Sequence, residues 1–126
     1  MGTVPVPQGA PPNWAACPVE ITLDVIGGRW KGVILYHLMN RTLRFNALRR
    51  ALPNITQRML TLQLRELERD GLVRRTVYAE VPPKVEYDLT EHGRSLTPLL
   101  HAMHDWGMQW VATRGVEPGS EGSAAA

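Results

Sequence analysis

The sequence predicts a mainly helical protein that carries a small β-hairpin and ends in a long helix. Apolar residues recur at helical spacing up to residue 71 and again from about residue 91 to Thr113. Between these regions the apolar period changes to two on both sides of Pro82-Pro83, which is typical of paired strands. The order helices, hairpin, long helix is therefore the expected architecture.

The length of 126 residues allows one domain with a modest core, which we place at residues 14–113. Residues 1–13 are rich in Pro and Gly and carry no charged side chain, so they predict a flexible N-terminal arm. Residues 114–126 predict a disordered tail. No apolar run approaches the roughly 20 residues of a membrane span. A signal-peptide pattern is also missing, so a cytoplasmic location without membrane contact is expected.

The first helix is predicted to begin at Pro18, because proline suits the first helical position. Val19, Leu23 and Ile26 form an apolar stripe that we expect to face inward. Gly27-Gly28 ends this helix.

Two shorter helices follow. One is predicted over residues 30–39, and its inward residues are Trp30, Ile34, Leu35 and Leu38. Residues 40–45 are too few for a helix and fit a small strand. Asn46 can cap the next helix, over residues 47–52, which Pro53 closes.

The helix over residues 56–71 has the clearest boundaries and one polar face. Thr56 can cap its start, with Ile55 and Leu60 at the spacing of a hydrophobic staple, and Gly71 can end it in a Schellman motif. The inward stripe is Leu60, Leu64 and Leu67, with Met59 beside it. The opposite face consists of Gln57, Arg58, Thr61, Leu62 and Arg65. Because a short link joins this helix to the preceding one, the two must cross steeply, as in a helix-turn-helix.

The predicted hairpin spans about residues 72–89. Residues 72–81 are rich in β-branched and aromatic side chains, Pro82-Pro83 forces a turn, and Val85, Tyr87 and Leu89 alternate with charged residues. A hairpin in this position is a wing, so the fold class is a winged helix-turn-helix.

The last helix is capped by Thr90 and interrupted by Pro98, which predicts either a bend or a short turn of helix followed by a longer one. Its apolar stripe exceeds the needs of so small a core, and exposed apolar surface usually marks an interface. We therefore predict a homodimer interface at Leu99, Met103, Trp106 and Trp110. In the alternative, the helix folds back onto its own core, and these residues could also line a ligand pocket.

The charge distribution favours a polyanionic partner. Residues 41–84 carry ten basic and four acidic side chains, hence +6, whereas the remainder carries −4 and the chain as a whole +2. A basic segment of this kind suits nucleic acid, although a solvated charged surface is the alternative.

Several linked motifs resemble HxlR-type transcriptional regulators, which share their architecture with MarR-type regulators. The motifs cover residues 17–20 (CPVE), 23–31 (LDVIGGRWK), 44–50 (RFNALRR), 64–73 (LRELERDGLV) and 80–90 (EVPPKVEYDLT). The resemblance extends over about residues 17–113. It implies a homodimer that binds double-stranded DNA at a palindromic operator, with the helix over residues 56–71 in the major groove. It further implies that the wing, residues 74–84, follows the adjacent backbone or minor groove, and that the first and last helices form the dimer.

Physical type divides the candidate DNA contacts into base readers and phosphate binders. Arg58 suits guanine and Gln57 suits adenine. Thr56 and Thr61 reach base or phosphate, and Leu62 offers a contact to a thymine methyl. Candidates for the phosphate backbone are Arg49, Arg50, Arg65, Arg74, Arg75 and Lys84.

Cys17 is the only cysteine, so an intrachain disulfide is excluded. Some members of the resembled family sense oxidants or electrophiles through a cysteine before the first helix, which is the place of Cys17. A helix N-terminus favours the thiolate, so Cys17 is a candidate sensor through thiol modification or a disulfide between subunits. In the alternative, Cys17 only packs.

No cofactor, metal site or enzymatic activity is predicted. His92, His101, His104 and Asp105 lack the ligand set of a structural zinc site. The sequence has no nucleophile–base pattern, no phosphate-binding glycine loop and no supported acid pair. A winged-helix module that binds protein instead of DNA is the rival interpretation, which the basic segment and the polar helix face disfavour.

Overall fold

The computed structural model describes residues 17–115, and these form six helices and three strands. The helices are α1 (Pro18–Ile26), α2 (Lys31–Leu38), α3 (Phe45–Ala51), α4 (Gln57–Arg69), α5 (Glu91–Arg94) and α6 (Thr97–Thr113). The strands are β1 (Leu43–Arg44), β2 (Val73–Tyr78) and β3 (Lys84–Leu89). The predicted arm at 1–13 lies outside the described residues, as does the predicted tail except for residues 114 and 115. Within residues 17–115, no helix has the length and apolar character that crossing a membrane requires.

Helix α1 starts at Pro18 as predicted, but the inward apolar stripe is wrong for two of its three residues. Val19 and Leu23 are 63% and 59% exposed, and only Ile26 is buried. Nothing in the described part of the chain covers that face of α1, because α1 contacts the core only through its C-terminal end. Helix α2 has its predicted buried residues at Ile34, Leu35 and Leu38, while Trp30 packs partly buried against the core.

Helix α3 begins earlier than predicted, so Asn46 is not its cap. Arg44, with extended backbone, is the residue before the first turn, and Asn46 lies inside that turn. The reason is that β1 ends the extended segment at Arg44, where it pairs with Glu86. The turn into α4 is closed by a hydrogen bond from the Ile55 amide to the Leu52 carbonyl, 3.2 Å long.

Both predicted boundaries of α4 are confirmed. The Thr56 hydroxyl accepts a 3.0 Å hydrogen bond from the Met59 amide. At the other end Gly71 has φ +79°, and the Leu72 amide donates to the Leu67 carbonyl, which is the hydrogen bond of a Schellman motif. Ile55 and Leu60 are both buried, as the hydrophobic staple requires.

The strands form one antiparallel sheet in the order β1-β3-β2. The predicted small strand and the predicted hairpin therefore join in a single sheet, with β2 shorter than the predicted span. Val73, Tyr87 and Leu89 turn one face of this sheet towards the core. The register pairs Val73 with Leu89 and Tyr78 with Lys84, which places the wing turn at residues 79–83.

The C-terminal region follows the second of the two predicted forms, a short turn of helix before a longer helix. Thr90 caps α5 by accepting a hydrogen bond from the Gly93 amide, and its hydroxyl donates to the Gly71 carbonyl over 2.6 Å. Pro98 lies in the first turn of α6, where its missing amide hydrogen costs nothing. The core between these elements is aliphatic, and its least exposed side chains are Ile34, Leu35, Leu38, Leu48, Leu60, Leu64, Leu67, Leu72 and Leu89.

Candidate nucleic-acid interface

The exposed face of α4 is the centre of the candidate interface. Its buried side anchors the helix through the three predicted leucines, so the opposite side must face solvent. That side carries a shallow depression lined only by Gln57, Arg58, Thr61, Leu62 and Arg65. All five predicted residues of this face therefore lie together. Thr61 is half-buried, and its hydroxyl already donates to the Gln57 carbonyl over 2.9 Å.

A second groove joins α4 to the wing. Arg75 on β2 lines this groove together with Gln57, Thr61 and Arg65. Its neighbour Arg74 points to the other face of the sheet, because successive side chains of a strand alternate. Of the two predicted wing arginines, only Arg75 thus adjoins the α4 face.

A third groove contains a basic residue that the sequence reasoning missed. Arg44, Arg50 and Lys84 line this groove between α3, β1 and β3, with Asn46 beside them. Sequence reasoning does not single out Arg44, because residues 40–45 fit a small strand and carry no recognisable site motif. Its place in the basic segment was the available signal.

On the outer face of the wing, acidic side chains lie next to two of the predicted phosphate binders, Arg74 and Lys84. Arg74 pairs with Asp88, its cross-strand neighbour, and its Nε donates to Asp88 Oδ1 over 3.1 Å. This hydrogen bond raises the pKa of Arg74 above its ordinary value. Lys84 Nζ lies 3.5 Å from Glu86 Oε2 and 4.8 Å from the centre of the Tyr78 ring.

The remaining predicted cations have no such partner. Within residues 17–115, no carboxylate forms an ion pair with these exposed arginines, which are Arg49, Arg50, Arg58, Arg65 and Arg75. Free guanidinium groups can bind phosphate or guanine without first breaking an internal ion pair. Among the described residues, the predicted cations without an ion pair thus lie on α3, on α4 and on the inner side of β2.

An ion pair beneath the interface fixes α4 to α2. Lys31 is only 8% exposed, and its Nζ lies 2.7 Å from Glu66 Oε1. The hydrogen bond and the charge of Lys31 lower the pKa of Glu66 below its ordinary value of 4.5. The sequence reasoning missed this pair because its partners are far apart in the chain.

The predicted dimer residues form an apolar strip on α6. Leu99, Met103, Trp106 and Trp110 are all exposed in the single chain, and Trp106 has the largest exposed fraction, 65%. The rings of Trp106 and Trp110 stack with their centres 5.5 Å apart. This strip does not fold back onto the core of its own chain.

The remaining predicted residues, Cys17 and the histidines, lie outside the α4 face. Cys17 is exposed at the start of α1. The His104 ring stacks on Tyr36, with ring centres 5.4 Å apart, and its Nδ1 lies 3.2 Å from Asp105. Among residues 17–115, no three His, Cys, Asp or Glu side chains are grouped as a metal would need.

Comparisons with known proteins identify this chain as a member of the HxlR-like helix-turn-helix family. A family model described as HxlR-like helix-turn-helix matches residues 25–114. The HTH-type transcriptional regulator YdeP of Bacillus subtilis is 61% identical over 98 residues, which are 78% of this chain and 77% of YdeP.

Solved structures of regulators are similar to this chain in fold and in sequence. The redox regulator HypR in its oxidized form is 63% identical with a TM-score of 0.72, and the match covers 74% of this chain and 96% of that chain. A structure assigned to the MarR family of transcriptional regulators, from Porphyromonas gingivalis W83, is 35% identical with a TM-score of 0.71. That match covers 74% of this chain and 91% of the other.

Proposed function

Since this chain belongs to the HxlR-like helix-turn-helix family of transcriptional regulators, we propose that it acts as a homodimer on a palindromic operator. In this proposal residues 14–113 are the DNA-binding and dimerising domain, the protein works on double-stranded DNA in the cytoplasm, and it catalyses no reaction. The single observation that carries the proposal is the exposed face of α4, where arginine, glutamine and threonine side chains lie together and form no ion pair with a carboxylate of the described residues.

Helix α4 supplies the base contacts in this proposal. Arg58 suits bidentate binding to guanine O6 and N7, and Gln57 suits adenine. Leu62, beside them and 45% exposed, offers an apolar contact for a thymine methyl. Thr56, which is already the helix cap, and Thr61 add contacts to base or phosphate.

Around the proposed base contacts of α4 lie the residues that we propose bind the phosphate backbone. Four exposed arginines form no ion pair within the part of the chain that the structure describes, so they are the stronger candidates: Arg49, Arg50, Arg65 and Arg75. Arg74 and Lys84 remain candidates, but each must first give up a carboxylate neighbour. We add Arg44 to the set, because it shares a groove with Arg50 and Lys84.

Two exposed apolar surfaces support the proposal that the protein is a homodimer. The exposed strip on α6 and the exposed face of α1, with Val19 and Leu23, both flank α2. Apolar surface of this extent on a small protein usually marks an interface. Paired helix-turn-helix domains place two α4 helices about one turn of DNA apart, so the operator is expected to be palindromic.

The DNA-binding part can be tested with the DNA upstream of the gene itself. Wild-type protein and Arg58→Ala are titrated onto labelled upstream DNA and onto unrelated DNA at several salt concentrations. We expect wild type to prefer the upstream DNA, and Arg58→Ala to lose about 10- to 100-fold of affinity for it, because a bidentate base contact contributes about 1–3 kcal/mol. Wild type that ignores its upstream DNA at low ionic strength would refute the proposal.

We further propose that small-molecule or oxidant effectors regulate this DNA binding, with Cys17 as the oxidant-sensitive group. The similar protein HypR is a redox regulator, and Cys17 is exposed, so reagents can reach its thiol. Diamide accepts two electrons and two protons when two Cys17 thiols join as a disulfide between subunits.

The Cys17 proposal is tested by treating wild type and Cys17→Ser with diamide. Wild type should form a covalent dimer on a non-reducing gel and change its DNA affinity, and reductant should reverse both effects. An equal change of DNA affinity in Cys17→Ser would remove Cys17 from the mechanism.

A further inference from the structure

One ion pair joins α4 to another helix, at the border of the exposed face of α4. Lys31 on α2 is 8% exposed, and its Nζ lies 2.7 Å from Glu66 Oε1 on α4. Among residues 17–115, no other ion pair connects α4 to a different helix or to a strand. The orientation of α4 relative to α2 therefore depends on apolar packing and on this ion pair.

Glu66 lies between the buried and the exposed sides of α4. With about 100° of rotation per residue, Glu66 is about 120° from the middle of the buried leucine stripe and about 40° from Leu62 on the exposed face. The leucines contact an aliphatic core, and apolar attraction is not directional, so it opposes a rotation of α4 about its own axis only weakly. A hydrogen-bonded ion pair is directional, and its place beside the buried stripe lets it oppose that rotation.

The position of Lys31 is unfavourable for α2 alone. Lys31 is the first residue of α2, where the helix dipole disfavours a positive side chain. Burial of its ammonium group adds a desolvation cost, which the Glu66 carboxylate offsets only within hydrogen-bonding distance. A rotation of α4 that carried Glu66 away would leave this ammonium group buried without its partner. The pair therefore favours one orientation of α4.

We propose that Lys31 and Glu66 are positioning residues, which fix the rotation of α4 about its axis and thereby set the affinity for the operator. A group about 6 Å from the helix axis moves by about 1 Å when the helix rotates by about 10°. Binding sites require side chains within about 0.5 Å of the productive geometry, so this movement misplaces Arg58 against a base edge. The link to operator affinity rests on the proposed function, whereas the orientation of α4 does not.

The first arm of the test replaces the pair by apolar residues. The double variant Lys31→Met with Glu66→Leu removes both charges, keeps the net charge and leaves no buried ion without a partner. Such replacements often leave the stability of a protein unchanged or raise it. We expect the double variant to unfold at the same or a higher urea concentration than wild type, yet to bind the upstream DNA about tenfold more weakly. Its affinity for unrelated DNA and its salt dependence should equal those of wild type, because no phosphate contact is lost.

This combination separates positioning from simple stabilisation of the fold. Glu66→Gln alone should lower both stability and operator affinity, since it leaves the Lys31 ammonium without a charged partner. If the pair only stabilised the fold, the double variant would regain operator affinity together with stability. A double variant as stable as wild type and with wild-type operator affinity would overturn the proposal.

The second arm keeps both charges and does not depend on folding of the apolar variant. Glu66→Asp withdraws the carboxylate by one methylene group and should weaken operator binding. Adding Lys31→Arg, which lengthens the cation, is the matched control and should restore the affinity to within about threefold of wild type, because charge-assisted hydrogen bonds reform. Glu66→Asp with wild-type operator affinity, or a loss that Lys31→Arg does not reverse, would overturn the proposal.

The orientation of α4 is measured without DNA, from residual dipolar couplings of the α2 and α4 amides. We expect α4 to rotate by about 10° or more in the apolar double variant, and not in the Lys31→Arg, Glu66→Asp protein. An unchanged orientation in the double variant would overturn the positioning role. A changed orientation, in a protein whose wild type ignores its upstream DNA, would refute the proposed function and leave the positioning role standing.

Discussion

The adjacent arginines Arg74 and Arg75 show how strand geometry separates two residues of the same type. Arg74 faces Asp88 across the hairpin, whereas Arg75 lies beside the α4 face and forms no ion pair with a carboxylate of residues 17–115. The sequence predicts the same role in DNA binding for both arginines, but the structure gives them different surroundings.

We expect Arg75→Ala to weaken DNA binding more than Arg74→Ala does. Loss of Arg75 removes a free positive charge, which should flatten the dependence of log affinity on log salt by about one unit. Arg74 already pairs with Asp88, and Arg94 lies 3.9 Å from the same carboxylate, so the loss of Arg74 should weaken DNA binding less. Both slopes are measured by fluorescence anisotropy at several salt concentrations. Equal losses in the two variants would show that the internal ion pair does not matter for the complex.

The Lys31–Glu66 pair predicts a specific pH dependence of stability. Glu66→Gln leaves the buried ammonium of Lys31 without its charged partner, so we expect a loss of about 1–2 kcal/mol at neutral pH. Because the folded state lowers the pKa of Glu66, the wild-type advantage is complete above pH 4.5 and disappears as the pH falls through the lower folded value. Urea unfolding of both proteins at neutral and acid pH measures this difference.

His37 provides an internal control for that experiment. Burial and the nearby Arg41 lower the pKa of His37 below its ordinary value of 6.5. The unfolded state therefore takes up this proton first, and stability falls as the pH drops below 6.5. Wild type and Glu66→Gln both lose this stability at acid pH, so the contribution of His37 cancels when their free energies of unfolding are subtracted. A wild-type advantage that stays constant down to acid pH would contradict the role assigned to Glu66.

At the scale of elements, α5 is held against the start of the wing by very close backbone packing. Thr90 and Gly93 connect α5 to Gly71 and Leu72, and a Cβ on Gly93 would lie 2.1 Å from the Leu72 carbonyl oxygen. Only glycine fits this position without a shift of the backbone.

Gly93→Ala is expected to destabilise the protein by about 1–3 kcal/mol, as overpacking does. Gly107→Ala in α6 is the control for the added methyl group, because none of residues 17–115 of the same chain lies within 4 Å of its added Cβ. The control should be neutral or more stable by up to about 1 kcal/mol through helix propensity. Urea unfolding of the two variants gives the comparison. A Gly93→Ala protein as stable as the control would mean that α5 can move away from Leu72 without cost.

The elements also show which parts of the fold are readable from local sequence. Both ends of α4 were predicted correctly because the Thr56 cap and the Gly71 stop act through neighbouring residues. The start of α3 was predicted wrongly because the pairing of Arg44 with Glu86 decides it, and these residues are far apart in sequence. The α4 face was predictable from helical spacing, whereas the neutralisation of Arg74 required the strand register.

At the scale of the whole molecule, the apolar surfaces of α1 and α6 are exposed in the single chain. The spacing of Val19 and Leu23 predicts that both side chains lie on the same face of α1. The spacing does not predict which part of the protein, or which partner, packs against that face. The single chain leaves both residues exposed, together with the α6 strip.

We expect Trp106→Glu to convert the proposed dimer to a monomer and to weaken operator binding, because a charge would be buried against the apolar partner surface. Met108→Glu is the matched control. Met108 is exposed and two residues from both Trp106 and Trp110, so it faces the opposite side of the helix. Sedimentation equilibrium measures the assembly state. A Trp106→Glu protein that remains dimeric would exclude this strip from the interface.

The position of β3 in the middle of the sheet has a consequence for synthesis on the ribosome. Both outer strands, β1 and β2, are made before β3, so neither has a neighbour until the chain has emerged to Leu89. The helices can form during synthesis, whereas Val73 gains its cross-strand partner only after Leu89 has been synthesised. A translational pause before this point would prolong the exposure of unpaired strand edges to chaperones and to other nascent chains.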